Sequence, residues 1–256
     1  MDLGLKGKRA VILGGTRGIG RAITDLLADE GANVAICARN QEQIDEAVSA
    51  LKSKGINAYG KSVDIADGPA LQAWVGEAAK DLGGIDILIS NASALSAGNE
   101  EENWKAGFDV DVMGAQRSIT AALPHLEKSA AAGGDASIVV ISSVSAAETS
   151  YPNAYGAMKA ALIHVAKGFA KQYAGKHVRC NVVSPGTVYF KGGVWHMIEE
   201  NMPDVYKDAM SNNPMGRMAS PEDIANATVF LSSPMSSFTT GINMVVDGAY
   251  TTRVNF

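Results

Sequence analysis

Two kinds of hydrophobic pattern alternate along this chain. Short apolar runs, such as VIL at 11–13 and IVVI at 138–141, are followed by longer segments in which apolar residues recur every three to four positions. The short runs are rich in Val and Ile, which favours strands buried on both faces, and the longer segments are typical of amphipathic helices. Strands that alternate with helices predict an α/β domain with a parallel sheet covered by helices on both faces.

The pattern predicts seven strands and six helices in a single domain, 1–256, that no linker or internal repeat interrupts. The strands are expected at 8–13, 33–38, 58–63, 85–89, 138–141, 178–183 and 242–246. The helices are expected at 21–30, 41–54, 69–82, 104–128, 154–173 and 221–231, with Asn153 placed to cap the fifth. The stretch between the sixth strand and Met218 is expected to be irregular.

Four glycines lie between the first predicted strand and the first predicted helix, in the segment GGTRGIG. Three of them, Gly14, Gly18 and Gly20, have the spacing Gly-x3-Gly-x-Gly. Glycines let the backbone approach a pyrophosphate closely, and the N–H groups and positive dipole at a helix start attract the anion. The segment therefore predicts a nucleotide-binding βα unit at the carboxyl end of the first strand.

A tyrosine and a lysine lie four residues apart at the start of the predicted helix 154–173. Tyr155 and Lys159 therefore share one helix face, where the ammonium favours the charged form of the phenol. A tyrosine in that position can donate or accept a proton at neutral pH. Ser142 and Ser143 fall at the carboxyl end of the preceding strand. The alternative interpretation of Tyr155 and Lys159 is a surface helix pair without a chemical role.

Composition excludes several classes of function. The net charge is −5 without a basic run, so neither nucleic acid nor an anionic membrane is an expected partner. The first residues are polar and no apolar segment approaches 18 residues, so we expect no signal peptide, no membrane span and a cytoplasmic location. Cys37 and Cys180 are expected to be buried strand thiols, and the four histidines lack ligand spacing, so no metal is expected.

The glycine turn, taken together with Ser143, Tyr155 and Lys159, resembles the short-chain dehydrogenase/reductase family over essentially the whole chain. The resemblance implies a doubly wound Rossmann-type domain with a seven-stranded parallel sheet, and hydride transfer between a nicotinamide dinucleotide and a carbonyl or alcohol. It implies that Tyr155 is the general acid/base and that Lys159 assists it and binds the nicotinamide ribose. Ser143 is expected to hold the substrate oxygen, with Ser142 as the alternative.

The resemblance also implies which residues bind the cofactor. NADP(H) is expected to be preferred over NAD(H), because the second strand ends in Ala38 and Arg39 rather than in a carboxylate, and Arg17 adds a second guanidinium. Asp64 has an alternative role as a turn residue or helix cap. The implied cofactor-binding residues are Gly14, Thr16, Arg17, Gly18, Ile19, Gly20, Arg39, Asp64, Ile65, Asn91, Ala92, Tyr155, Lys159, Pro185, Gly186 and Val188.

Three segments depart from the family pattern. Ser90 and Ser93 replace the first asparagine and the glycine of the family's Asn-Asn-Ala-Gly, and Phe190 stands where the family often has a threonine that touches the carboxamide. Asp111 stands where the family has the asparagine of its catalytic tetrad. The family role at that position belongs largely to the main-chain carbonyl, so the Asp111 side chain is expected to matter little. The alternative is that this side chain faces Lys159.

Residues 188–218 are expected to form a substrate lid or loop. Their apolar lining and few cationic residues favour a small to medium, uncharged ketone or alcohol. The alternatives are a 3-oxoacyl thioester (acyl-carrier-protein) reductase and, outside enzymes, a dinucleotide-sensing scaffold protein. The resemblance further implies a homo-oligomer, either a tetramer or a dimer. The predicted lining is Phe190, Val194, Trp195, Met197, Ile198, Met202, Tyr206, Met210 and Met215.

Overall fold

A sheet of seven parallel strands runs through the computed structural model, which describes residues 2–254. The sheet order is β3-β2-β1-β4-β5-β6-β7, so the direction of strand addition reverses between β1 and β4. In open α/β sheets ligands bind outside the carboxyl ends of the strands at such a switch point. The strands are β1 (Arg9–Leu13), β2 (Asn33–Ala38), β3 (Ala58–Ser62), β4 (Ile87–Ser90), β5 (Ala136–Ile141), β6 (Val178–Pro185) and β7 (Asn243–Val246).

Helices cover both faces of the sheet, as the hydrophobic pattern predicts. Successive strand residues point to opposite faces. Val11 accordingly joins a buried cluster with α3, α5 and α6, and Ile12 joins a second cluster with α1, α2 and α9. The helices are α1 (Gly18–Asp29), α2 (Gln41–Ser53), α3 (Gly68–Leu82), α4 (Glu101–Gly107), α5 (Met113–Gly133), α6 (Ala154–Tyr173), α7 (Val194–Asn201), α8 (Pro203–Ser211) and α9 (Pro221–Ser232).

Three helices begin at polar side chains that cap them. The side chains of Asn40, Asp67 and Asn153 accept hydrogen bonds from backbone N–H groups in the first turns of α2, α3 and α6. Each cap satisfies a donor that the helix itself leaves without a partner, which contributes about 1 kcal/mol. The predicted start of α6 at Ala154, and with it the position of Tyr155 in the first turn, is confirmed.

Two segments differ from the sequence expectation. The predicted helix 104–128 extends from Glu101 to Gly133 and is interrupted by a π-helical turn over Phe108–Val112. The stretch expected to be irregular contains α7 and α8, eight and nine residues long. Helices this short span little more than two turns, which is too short a stretch for a periodic pattern to distinguish a helix from a loop. Among the helices of residues 2–254, none combines the length and apolar character needed to span a bilayer.

Candidate active site

The loop between β1 and α1 has a donor set that fits a pyrophosphate. Unlike α2, α3 and α6, the helix α1 begins without a side-chain cap and has no acidic residue in its first turn. Its first N–H groups and the positive end of its dipole are therefore left for an anion. A methyl group on Gly20 would overlap the Gly14 carbonyl, so this tight loop requires glycine. The glycine loop and the start of α1 therefore fit the pyrophosphate of a dinucleotide.

Asn91 connects the glycine loop to the end of β4. Its Nδ2 donates to the Gly14 carbonyl at 2.9 Å and lies 3.4 Å from the Leu13 carbonyl. A Cβ built on Gly14 would come within 3.3 Å of Ala92 Cα. The predicted cofactor residues of two neighbouring strands thus meet at the switch point of the sheet.

The two arginines expected near a 2′-phosphate are exposed and available. Neither Arg17 nor Arg39 forms an ion pair with another residue in the described part of the chain. The Arg39 carbonyl accepts a hydrogen bond from Ser62 Oγ at 2.9 Å, which fixes its backbone. Thr16 Oγ1 lies 3.4 Å from Gln43 Oε1, on the helix that follows Arg39.

The remaining predicted cofactor residues lie past strand ends but are held by their own local contacts. Asp64 Oδ1 accepts a hydrogen bond from the Ala66 N–H at 3.0 Å, so the alternative role as a turn residue is also present. Ile65 is buried, and Pro185 ends β6. A Cβ on Gly186 would lie 2.7 Å from Asp247 Cβ.

Ser142 and Ser143 follow β5, and their hydroxyl groups have different partners. Ser142 Oγ donates to the Lys159 carbonyl at 2.8 Å, which commits its proton to the backbone of α6. Ser143 Oγ accepts from the Ser145 N–H at 3.1 Å, and among the described residues it donates to no acceptor. Ser143 therefore keeps a proton for a substrate oxygen, which favours it over Ser142.

Tyr155 lies half-buried in the first turn of α6, and no described residue forms a hydrogen bond with its hydroxyl group. Lys159 Nζ is 5.5 Å from the centre of the Tyr155 ring. The helix start is packed so tightly on the turn after Ser143 that a Cβ on Gly156 would lie 2.7 Å from the Ser145 carbonyl oxygen. This contact fixes the tyrosine relative to the serine.

The Asp111 side chain faces Lys159, which is the arrangement given above as the alternative. Lys159 Nζ lies 3.0 Å from Asp111 Oδ1, and the two side chains are 3% and 2% exposed. The direction of this contact falls outside hydrogen-bond geometry, so it is an ion pair. Asp111 Oδ2 accepts the Ala94 N–H at 2.8 Å, and Lys159 Nζ also donates to the Ile141 carbonyl at 3.1 Å. An isolated buried ammonium is costly, so a carboxylate stabilises it here.

Phe190 packs on the glycine loop. A Cβ built on Gly18 would come within 2.8 Å of Phe190 Cε2, and one built on Gly193 would come within 2.7 Å of Cε1. The ring therefore fills the space between the start of α1 and the start of α7. Its position connects the segment expected to vary with substrate to the loop expected to hold the cofactor.

The segment that carries α7 and α8 closes on itself at a narrow base. Val188 pairs with Ala219 in an isolated parallel bridge, and the Tyr189 N–H and Thr187 carbonyl bond the Ala219 backbone at 2.9 Å each. Several apolar side chains of the segment are exposed, among them Val194, Met197, Met202 and Met215. These side chains are therefore accessible on the surface of the segment.

Tyr189 anchors this segment, a role that sequence reasoning missed. Its hydroxyl group donates to Glu199, and its ring packs edge-on against His196 and Tyr206. The hydrogen bond to Glu199 raises the pKa of Tyr189 to about 12, so this phenol stays protonated at neutral pH. No sequence signal marks the residue, because its partners lie on two separate helices.

Comparisons with known proteins agree with this geometry. A family model described as enoyl-(acyl carrier protein) reductase matches residues 14–251. Isoepoxydon dehydrogenase patN of Penicillium expansum is 39% identical over 253 residues, which cover 97% of this chain and 96% of that protein. The 7alpha-hydroxysteroid dehydrogenase of Clostridium sardiniense is 33% identical over 256 residues, covering 96% and 94%.

Solved structures match over almost the whole chain. A short chain dehydrogenase from Burkholderia cenocepacia in complex with NADP has a TM-score of 0.85 at 28% identity, covering 96% of this chain and 99% of that one. The NADH-dependent reductase A1-R′, responsible for alginate metabolism, has a TM-score of 0.86 at 28% identity, covering 98% and 100%.

Proposed function

This chain belongs to the short-chain dehydrogenase/reductase family of oxidoreductases, which act on CH–OH and C=O groups with a nicotinamide dinucleotide, and from that premise we propose its specific reaction. The protein interconverts a ketone and a secondary alcohol with NADP(H), on a small to medium, largely apolar substrate. Tyr155 is the general acid/base. The observation that carries the proposal is the half-buried Tyr155 hydroxyl, which has no hydrogen-bond partner among the described residues and lies on the helix face of Lys159.

The side chains around Tyr155 suit the charge that develops at a carbonyl oxygen. When bound, the dinucleotide supplies or accepts the hydride. Tyr155 gives a proton to the oxygen during reduction and takes one during oxidation. Ser143 donates its uncommitted proton to the same oxygen and so stabilises the developing alkoxide.

Lys159 holds the tyrosine in an electropositive setting and binds the cofactor ribose. Of the three ammonium protons, one is donated to the Ile141 carbonyl and the Asp111 carboxylate attracts a second. The third is available to a ribose hydroxyl. The glycine loop, Asn91 and Ala92 complete the cofactor site, with Asp64, Ile65, Pro185, Gly186 and Val188 at the neighbouring strand ends.

NADP(H) is the preferred cofactor in this proposal. Exposed Arg17 and Arg39 lack carboxylate partners, and a guanidinium binds a phosphate through forked, charge-assisted hydrogen bonds. The two solved relatives described above use NADP and NADH respectively, so the family accommodates both. The expected result is a higher kcat/KM with NADPH than with NADH, and an Arg39→Asp variant in which that order reverses. Equal values in the parent would refute the preference.

The substrate class follows from the segment 188–218. Its exposed apolar side chains and the names of the relatives, one of them a hydroxysteroid dehydrogenase, support an uncharged alcohol or ketone. The second candidate is a 3-oxoacyl thioester reductase, which the description of the matching family model favours. Against it, Arg217 is engaged by Asp223 at 2.6 Å, which leaves Lys191 and Lys207 as the segment's cations for a phosphorylated carrier.

A substrate panel and one matched pair of variants test the proposal. Ketones, secondary alcohols and 3-oxoacyl thioesters are screened by nicotinamide absorbance. In Tyr155→Phe, kcat is expected to fall by roughly 10²- to 10⁴-fold while dinucleotide affinity stays unchanged. Tyr151→Phe is the control, because Tyr151 is 60% exposed in the loop before α6. Near-normal turnover in Tyr155→Phe would refute the assignment of Tyr155 as the general acid/base.

The protein acts as a homo-oligomer, a tetramer or a dimer, in this proposal. Phe230, Met235, Phe238 and Ile242 are exposed in the segments that precede the edge strand β7, and exposed apolar side chains support a role of this region in subunit contacts. Light scattering coupled to size exclusion measures the mass directly, and a monomer at micromolar concentration would contradict the claim.

Unpaired Cys37 and Cys180 support a reducing location such as the cytoplasm.

A further inference from the structure

Asp111 is held inside the protein by two donors from different parts of the fold. The π-helical turn over Phe108–Val112 inserts the carboxylate between the loop after β4 and the helix α6. One oxygen accepts the Ala94 N–H, and the other lies against the Lys159 ammonium. π-helical turns inside helices occur frequently at functional sites.

Only a carboxylate offers an acceptor to the Ala94 N–H and a negative charge to the Lys159 ammonium at once. Ionised aspartate presents two acceptor oxygens, whereas asparagine presents one oxygen and an NH₂ group that donates. With asparagine at position 111, the single oxygen would serve either the Ala94 N–H or the ammonium, and the NH₂ group would face the other donor. The departure from the family asparagine therefore matches the local donor pattern of this chain.

We propose that Asp111 is a positioning residue that fixes Lys159 and balances its charge, so that Tyr155 faces a neutral ion pair rather than an isolated cation. This inference rests on the proposed function. An isolated ammonium stabilises the charged phenolate, and a carboxylate beside the ammonium offsets that effect. The Asp111 carboxylate therefore reduces the positive charge that acts on Tyr155 during proton transfer.

Three charged side chains on the neighbouring helical segments have partners other than this pair. Lys105 and Asp109 face each other at 3.8 Å on the outer side of the same helical region. The Arg117 guanidinium, on α5, donates to the Ala66 carbonyl at 3.3 Å. Among the described residues, Asp111 is the carboxylate that contacts Lys159 Nζ. The charge at Tyr155 is thus set by Lys159 and Asp111 together.

Asp111→Asn removes the charge at nearly constant volume, and Asp109→Asn is the matched control two residues earlier in the same turn. The acidic limb of the kcat profile for alcohol oxidation is measured from pH 5 to 10. In Asp111→Asn it is expected to move to lower pH by about one unit, because Lys159 then acts on Tyr155 without compensation. Asp109→Asn is expected to keep the parent profile, and so is Asp111→Glu, which retains the carboxylate.

A second readout needs neither substrate nor cofactor. The ammonium binds the single asparagine oxygen more strongly than a backbone N–H does, so the Ala94 N–H loses its acceptor in Asp111→Asn. Hydrogen exchange of the Ala94 amide is expected to accelerate at least tenfold there, and to stay unchanged in Asp109→Asn. Unchanged exchange in Asp111→Asn would overturn the positioning role.

The outcomes separate this inference from the proposed function. A profile that stays in place in Asp111→Asn, or that moves equally in Asp111→Glu, would overturn charge balancing even if Tyr155→Phe is inactive. Conversely, a fully active Tyr155→Phe would overturn the acid/base assignment, whatever the Ala94 amide does.

Discussion

Substituting Gly18 by alanine tests the contact between the glycine loop and Phe190. Gly18 has φ +53°, a left-handed conformation that costs an L-residue about 1–2 kcal/mol. The new methyl group would also lie within 2.8 Å of Phe190 Cε2. Crowding of that kind costs about 1–3 kcal/mol, so Gly18→Ala is expected to lose about 2–5 kcal/mol of unfolding free energy.

A control and a second substitution separate the two contributions. Gly55 has φ +82° with no atom within 4 Å of an added Cβ, so Gly55→Ala is expected to lose only about 1–2 kcal/mol. In a Phe190→Ala background the crowding at Gly18 disappears and only the backbone cost remains. The double variant is therefore expected to be about 1–3 kcal/mol more stable than the sum of the single changes predicts.

Urea denaturation of the four variants gives the free energies, and fluorescence titration gives the dinucleotide affinity. Gly18→Ala is expected to bind the dinucleotide more weakly than the parent, because its methyl group displaces the loop that holds the pyrophosphate, and Gly55→Ala is expected to bind normally. If the Gly18 and Phe190 substitutions are additive within about 0.5 kcal/mol, the ring does not pack on the loop and the reasoning fails.

Two further predictions concern the packing of the site and the amino-terminal ends of β1 and β4. Gly156→Ala places a methyl group 2.7 Å from the Ser145 carbonyl oxygen and should lower kcat by about tenfold, because it shifts Ser143. Gly168→Ala on the same helix is the control and should leave kcat unchanged, because no atom lies within 4 Å of the added Cβ. Equal steady-state kinetics of the two variants would contradict this prediction. Burial raises the pKa of the Asp86 carboxyl, but hydrogen bonds from Arg9 and Ser129 outweigh it and hold that pKa below its usual range. The resulting stability is present above the unfolded pKa of about 4 and is lost as pH falls through the folded value. Ser129→Ala removes one of the hydrogen bonds that lower the folded pKa, so in urea titrations from pH 3 to 7 the total loss should be smaller and complete at a higher pH; coincident curves would refute the role of Ser129.

Sequence periodicity is most informative where strands are buried on both faces. Runs such as Ile138–Ile141 stand out because β5 is buried throughout, and Tyr155 could be placed because Asn153 marks the start of its helix. The same reasoning could not detect α7 and α8, because eight or nine residues are fewer than the window over which a helical period can be recognised.

Contacts between distant segments account for what sequence reasoning missed in the site. The orientation of Asp111 depends on a π-helical turn and on the Ala94 N–H, a backbone donor that no residue pattern reveals. Family analogy pointed to a main-chain role at this position, because asparagine lacks the charge that attracts Lys159. The anchoring role of Tyr189 could not be predicted for a related reason, because its partners come together only once α7 and α8 are folded.

The narrow base of the segment that carries α7 and α8 has a consequence for how such enzymes diversify. Because the backbone at Val188 and Ala219 is already paired, the residues between them form a closed loop whose ends do not depend on its contents. Closing a flexible loop twice as long costs only about 0.6 kcal/mol more. Natural variation or protein design can therefore exchange, shorten or extend the residues between Val188 and Ala219 to accept new substrates. Ser143, Tyr155 and Lys159 keep their positions, because the sheet and α6 hold them.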